Sequence, residues 1–237
     1  MGVTSVRVLG IDACRGGWVG LAWAGGDRVW PYAAATFAAT VAAAQLDGSL
    51  AAVGADIPIG LSDNGVRVAD VQARALLGPR RSSVFETPVR SAVEAANQQS
   101  ASSLNQAATG HKVSVQAFGL RHRILEVERW LAAVPSGERP PVYEVHPEVS
   151  FHRLAGETLA HAKRTWAGAE QRRALLASAS LQLFGGLGAA GALAAVDDVV
   201  DAAVVAWSTA RIVSGAAESL PHPPQPVGGG RTAAIWV

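Results

Sequence analysis

The chain has 237 residues, of which 49% are hydrophobic and 16% charged, enough to bury a full core within one large domain. Lys and Arg total 20 against 19 Asp and Glu, a formal charge of +1, so a nucleic-acid partner would have to be held by a local basic patch. No apolar run of about 18 residues escapes a charge, Gly or Pro, which argues against a membrane-spanning helix. Met1–Arg7 lacks the basic and apolar regions of a secretory leader, and the single Cys14 has no intramolecular disulfide partner; both read as a cytoplasmic protein.

In chain order, Val6–Asp12, Trp18–Ala24 and Arg28–Tyr32 are short apolar runs separated by Gly16-Gly17 and Gly25-Gly26-Asp27, which predicts a three-stranded antiparallel meander. Thr36–Leu46 reads as a helix with Thr36 at its N-cap, and Leu50–Ile57 as a buried strand stopped by Pro58. Gly65–Gly137 changes character: alanine-rich helical stretches at about 65–77 and 116–134 flank a polar segment, Asn97–Gly110, whose weak periodicity predicts a mobile loop. Val142–Val145 returns as a short strand before Pro147. Helical patterns then cover about 168–183 and 196–214, and the triglycine 228–230 precedes a last apolar run, Ala233–Val237. The whole reads as one α/β domain, with a helical insertion at about 62–140 between the fourth and fifth strands.

Acidic residues sit where such a sheet opens to solvent. Asp12 and Asp56 each close an apolar strand, where an unpaired carboxylate is costly to bury, so a compensating cation is expected. Glu144, between apolar neighbours in the short strand, is a third candidate. Asp197, Asp198 and Asp201 open the last long helix, and the i, i+3 and i, i+4 spacings put either pair on one face. A first-turn aspartate also caps helix N–H groups; Asp197 is best placed for that, leaving Asp198 and Asp201 for chemistry. Any one of these acids alone is equally well explained as a cap or an Arg partner. Several converging carboxylates suit Mg²⁺ or Mn²⁺, whereas the absence of a Cys pair or His-x-x-x-His spacing argues against zinc.

Cationic and polar residues accompany them. Arg80, Arg81, Ser82 and Ser83 form a compact group suited to phosphate oxygens, or to neutralising the acids. Lys163, Arg164, Arg172 and Arg173 would extend a basic track along a nucleic-acid backbone, or form a solvated helix face. His146, two residues beyond Glu144, is placed to handle a proton or to serve structurally before Pro147. Cys14 reads as a passive thiol, and most of the 7 tryptophans as core.

Five stretches, Gly-Ile-Asp-Ala-Cys-Arg-Gly-Gly-Trp (10–18), Asp-Ile-Pro-Ile-Gly-Leu (56–61), Arg-Arg-Ser-Ser-Val-Phe (80–85), Tyr-Glu-Val-His-Pro-Glu (143–148) and Asp-Asp-Val-Val-Asp-Ala (197–202), together give the chain its resemblance to the domain-of-unknown-function 429 family, predicted nucleases of ribonuclease-H-like fold. The resemblance implies a mixed five-stranded sheet flanked by helices. It carries catalytic and metal-binding roles onto Asp12, Asp56 and the Asp198/Asp201 pair, with Glu144 following the family motif. The expected function is a divalent-metal-dependent nuclease, with Arg80, Arg81, Ser83 and Lys163 on the substrate. One alternative is a nucleotide-binding or phosphotransfer protein of the actin and sugar-kinase type, which would need a homodimer because the chain has room for one such unit; another is a non-catalytic binding module.

Overall fold

A computed structural model describes residues 6–228 and 230–237; Met1–Ser5 of the predicted leaderless start and Gly229 of the triglycine lie outside the described residues. The meander forms as its spacing predicts: β1 (Val8–Cys14), β2 (Gly17–Trp23) and β3 (Val29–Ala34) pair antiparallel in that order. Gly16 makes the first turn with φ of +87°, a conformation side chains disfavour. Helix α1 (Phe37–Leu46) is capped by Thr36, whose Oγ1 accepts from the Ala39 amide at 3.2 Å. β4 (Ala52–Ala55) then lies parallel to β1, and β5 (Val142–Glu144) parallel to β4, giving the order β3-β2-β1-β4-β5.

Between β4 and β5 the chain forms α2 (Val68–Leu77), a 3₁₀ turn (Gly78–Ser83), α3 (Arg90–Val93), α4 (Gln98–Thr109) and α5 (Val115–Ala133). The polar segment expected to be a mobile loop is therefore α4. Its ends are well specified: Asn97 accepts from the Ser100 amide, and Gly110 closes the helix in the left-handed region. Its inner face is held by Ala101 and by Asn105, which accepts from the Val89 amide and donates to the His111 carbonyl. A helix anchored by one alanine and one asparagine leaves almost no apolar stripe to read.

After β5 come α6 (Pro147–Ala155), α7 (Trp166–Ser178), α8 (Gly188–Leu193), α9 (Val196–Val213) and a separate antiparallel ribbon, β6 (Ser219–Val227) with β7 (Arg231–Trp236). Pro147 ends the strand as expected and also starts α6, since a missing N–H costs nothing in a helix's first turn. Four prolines hid β6. It pairs only with β7 and breaks register between Leu220 and Gln225, where Pro221, Pro223 and Pro224 fall; Pro226 alone sits in the ladder, opposite Thr232.

The sheet is covered on both faces. Leu9, Ile11 and Val53 pack with Phe37, Val41, Ile124 and Val127 from α1 and α5. Val19 and Leu21 pack on the other side with Phe151, Leu176, Val200 and Val204. Helix α9 lies close against β1 and β4: a Cβ at Gly10 would fall 2.2 Å from both Ala202 O and Ala206 N, and one at Gly54 would fall 2.1 Å from Thr209 Oγ1. Those two glycines set the height of α9 and bring its first turns to the carboxyl ends of β1 and β4.

Candidate metal centre

Because β1 and β4 run parallel as neighbours, their last residues emerge on the same edge. Asp12 stands near the end of β1, and Asp56 directly follows β4, its amide donating to the Ile11 carbonyl at 2.9 Å. Asp201, in the second turn of α9, comes down onto the same edge. One carboxylate oxygen from each of the three lies within 4.8 Å of the others. Asp201 is 0% exposed and Asp12 6%, so solvent does little to separate the charges.

Three ionised carboxylates so close repel one another, and the surroundings respond. Burial, with the neighbouring Asp56 and Asp201, raises the Asp12 carboxyl well above its usual range. Burial pushes Asp56 and Asp201 up to about 7, against the pull of Lys163. Lys163, on the loop before α7, places its Nζ 2.5 Å from Asp201 Oδ2. Burial works against its charge, but Asp201, Asp56 and Asp12 hold the ammonium above its usual value. Three carboxylates and one ammonium leave −3 + 1 = −2 at full ionisation, the charge one divalent cation would neutralise.

The donor set fits a hard cation. All three groups are carboxylates, as Mg²⁺ and Mn²⁺ prefer. Asp201 Oδ1 is buried and has no hydrogen-bond partner in the chain, so the cluster offers a cation a free acceptor. Asp12, Asp56 and Asp201 would hold the ion.

The remaining predicted acids go elsewhere. Glu144 Oε2 accepts from Arg67 Nη2 at 2.6 Å and from the Ile59 amide at 2.7 Å. Burial pushes the Glu144 carboxyl up to about 7, against the pull of Arg67 and the Ile59 amide. Arg67 also meets Asp70 and donates to Thr87 Oγ1, so Glu144 locks the insertion onto β5 and is not part of the triad. Neither Asp198 nor Asp197 takes its expected role: Asp198 Oδ2 accepts from the Ala195 amide at 3.3 Å across the helix start, whereas Asp197 pairs with Arg164 at 3.2 Å. The helix turns Asp201, not Asp198, into the cluster.

The basic track dissolves into pairs. Lys163 faces Asp201, Arg164 faces Asp197, Arg173 faces Glu170, and the buried Arg172 meets Glu148 at 2.5 Å. Glu148 was missed by sequence reasoning, although it stands in the quoted 143–148 stretch; it lines the pocket and adds negative charge near Asp56 and Asp201. The 3₁₀ turn brings Arg80, Ser82 and Ser83 to the pocket wall, with Arg80 Nη2 donating to the Ala160 carbonyl at 2.6 Å; Arg81 is exposed and outside that wall. His146 lines the pocket too: burial lowers its pKa, and its Nδ1 has no partner. Burial raises the Cys14 thiol, in keeping with a passive role. Most tryptophans pack in or against the core as expected, and Trp166, at 80% exposure, is an exception.

The family model described as "Protein of unknown function (DUF429)" matches residues 10–226. The chain belongs to this family. No curated protein and no solved structure matches it. The DUF429 match spans every element that builds the triad, from β1 to α9. Among the described residues, no helix is long and apolar enough to cross a membrane.

Proposed function

We propose that this DUF429 protein is a divalent-metal-dependent hydrolase of nucleic-acid phosphodiesters, built on a ribonuclease-H-like fold. The observation that carries the reading is the triad itself: three converging carboxylates, Asp12 and Asp201 buried and Asp56 partly so, from the ends of two parallel strands and a helix, with Asp201 Oδ1 unpartnered. The sheet, with three antiparallel strands followed by two parallel ones, is of the kind the resemblance implies. A divalent ion held there supplies Lewis-acid stabilisation of the charge that builds on phosphoryl oxygens.

The chain's own residues supply the rest. Lys163 neutralises part of the cluster and presents an ammonium to an incoming phosphate. Arg80, Ser82 and Ser83 line the same pocket and offer further polar groups there. His146 lines the pocket, and burial, by lowering its pKa, favours the neutral imidazole that can take up a proton. The phosphotransfer alternative needs a second such sheet facing the first, and so a homodimer; no observation favours it.

The test is cleavage of DNA, RNA, hybrid and branched substrates by purified protein with Mg²⁺ or Mn²⁺, alongside Asp12→Asn. Metal-dependent cutting that the variant lacks supports the reading. Inactivity on every substrate with both ions contradicts it and leaves the non-catalytic module.

A further inference from the structure

The triad does not lie on an open surface. It forms the floor of a pocket of about 510 Å³, whose far wall is the insertion: Arg80, Ser83 and Phe85 around the 3₁₀ turn, with Gln116 and Leu120 from α5. That volume falls within the roughly 300–1,000 Å³ of small-molecule sites. With Asp201 fully buried and Asp12 nearly so, only a group that enters the pocket reaches the carboxylates.

We infer that this pocket admits one unstacked nucleotide at a time, so that single-stranded nucleic acid, and not intact duplex, is the substrate. The inference rests on the phosphodiesterase reading above and narrows it. A base-paired strand keeps its phosphates on the outside of a stacked rod, and reaching a buried centre requires unpairing and unstacking at a cost of a few kcal/mol. The walls match the two ends of a nucleotide. Arg80, Ser83 and Lys163 among the lining residues serve the phosphate, while Phe85, Leu120 and the Gln116 amide offer a ring, an apolar surface and a hydrogen-bonding edge to a base.

The basic balance points the same way. Duplex-binding proteins carry an extended cationic surface, whereas the basic residues nearest the triad on this side, Lys163, Arg164, Arg172 and Arg173, are each paired with a carboxylate and form no such track. A contact limited to a phosphate or two inside a pocket needs no such surface. In the reaction, the oxygen of water forms a new bond to phosphorus and the ester P–O bond breaks. The proton lost by water ends on the leaving oxygen, giving a phosphate monoester and a free hydroxyl.

The experiment has a binding arm and a cleavage arm, both on the full chain with Mn²⁺. Calorimetry measures AMP and inorganic phosphate against wild type, Phe85→Ala and Phe85→Leu; the second variant keeps the packing of Phe85 and removes its ring. AMP is expected to weaken by about tenfold in both variants while phosphate is unchanged. Cleavage compares a dinucleotide, a single-stranded oligonucleotide and a covalently closed duplex, with the duplex expected to be slower by about 100-fold or more. Equal rates on closed duplex and single strand, or AMP affinity indifferent to Phe85→Leu, overturn the pocket assignment and leave the phosphodiesterase reading standing. Ring-dependent AMP binding with no cleavage of any substrate does the reverse: the nucleotide pocket holds and the hydrolase reading falls.

Discussion

Two groups of buried acids line the same pocket and behave in opposite ways. Around Glu144, Arg67 supplies a guanidinium at 2.6 Å, the Ile59 amide a second donor, and Asp70 and Thr87 complete the network. Around Asp201, one oxygen meets Lys163 and the other meets nothing. The first group pairs its carboxylate with a guanidinium, leaves only the Arg67 Nε donor unpartnered, and holds the insertion to the sheet. The second is short of positive charge by about one divalent ion. Burial and charge are common to both, so neither property separates a site from a strut; the unfilled acceptor does.

The largest expected effect would break that distinction if it failed. Asp12→Asn or Asp201→Asn should lower metal-dependent cleavage by about 10³-fold or more, measured as kcat/KM, because the electrostatic centre is lost. Asp12→Asn should at the same time leave the metal-free fold intact or raise its stability by about 1 kcal/mol, since it relieves like-charge repulsion. Glu144→Gln should do the opposite. Leaving Arg67 buried and poorly paired should cost about 3–5 kcal/mol in chemical denaturation, and divalent affinity per folded molecule should hardly change.

Lys163→Met sharpens the comparison from the cationic side. Removing the ammonium that competes for Asp201 should tighten Mn²⁺ binding by about tenfold, read by calorimetry, while lowering the stability of the metal-free protein. A weaker Mn²⁺ affinity in this variant would mean that Lys163 organises the carboxylates and does not compete with the ion.

The smallest effect is on pH. Asp56 and Asp201 have folded-state values of about 7, and Asp12 is raised as well, all above the 3.8 of an unperturbed Asp. The folded state therefore holds the extra protons between about pH 4 and 7, and this contribution to stability is lost as pH rises through that window. Glu144, raised to about 7, and Asp198, also raised, add to the same trend; His146, lowered by burial, contributes with the opposite sign but is one group against five. Thermal melts without metal should thus fall from about pH 5 to 8. Adding Mn²⁺ should reverse the trend, because binding favours the deprotonated carboxylates and releases protons.

Much of this was legible in the sequence. The glycine-punctuated meander, the Thr36 cap and the strand-ending Asp12 and Asp56 follow from local rules, because turn chemistry and apolar runs decide them within a few residues. What failed to show was long-range. Asn97–Gly110 forms α4 through caps and the buried Asn105, which carry no apolar period. Ser219–Val227 pairs despite four prolines because it has a single partner strand.

The acids divide along the same line. Asp201 and Asp198 share a helix face by spacing, and only the seating of α9 on Gly10 and Gly54 decides that Asp201 enters the cluster. Lys163 looked like part of a basic track, and its carboxylate partner lies 38 residues away in the chain. Glu144 lies on the expected strand, but nothing nearby in sequence announces Arg67, 77 residues earlier.

The central claim is that Asp12, Asp56 and Asp201 form a divalent-ion site and Glu144 does not. Calorimetric titration of Mn²⁺ into wild type, Asp201→Asn and Glu144→Gln tests it most directly. The account predicts saturable binding in wild type and in the folded fraction of Glu144→Gln, and none at millimolar concentration in Asp201→Asn. Equal Mn²⁺ affinity in Asp201→Asn and wild type, or no binding in wild type, would contradict it.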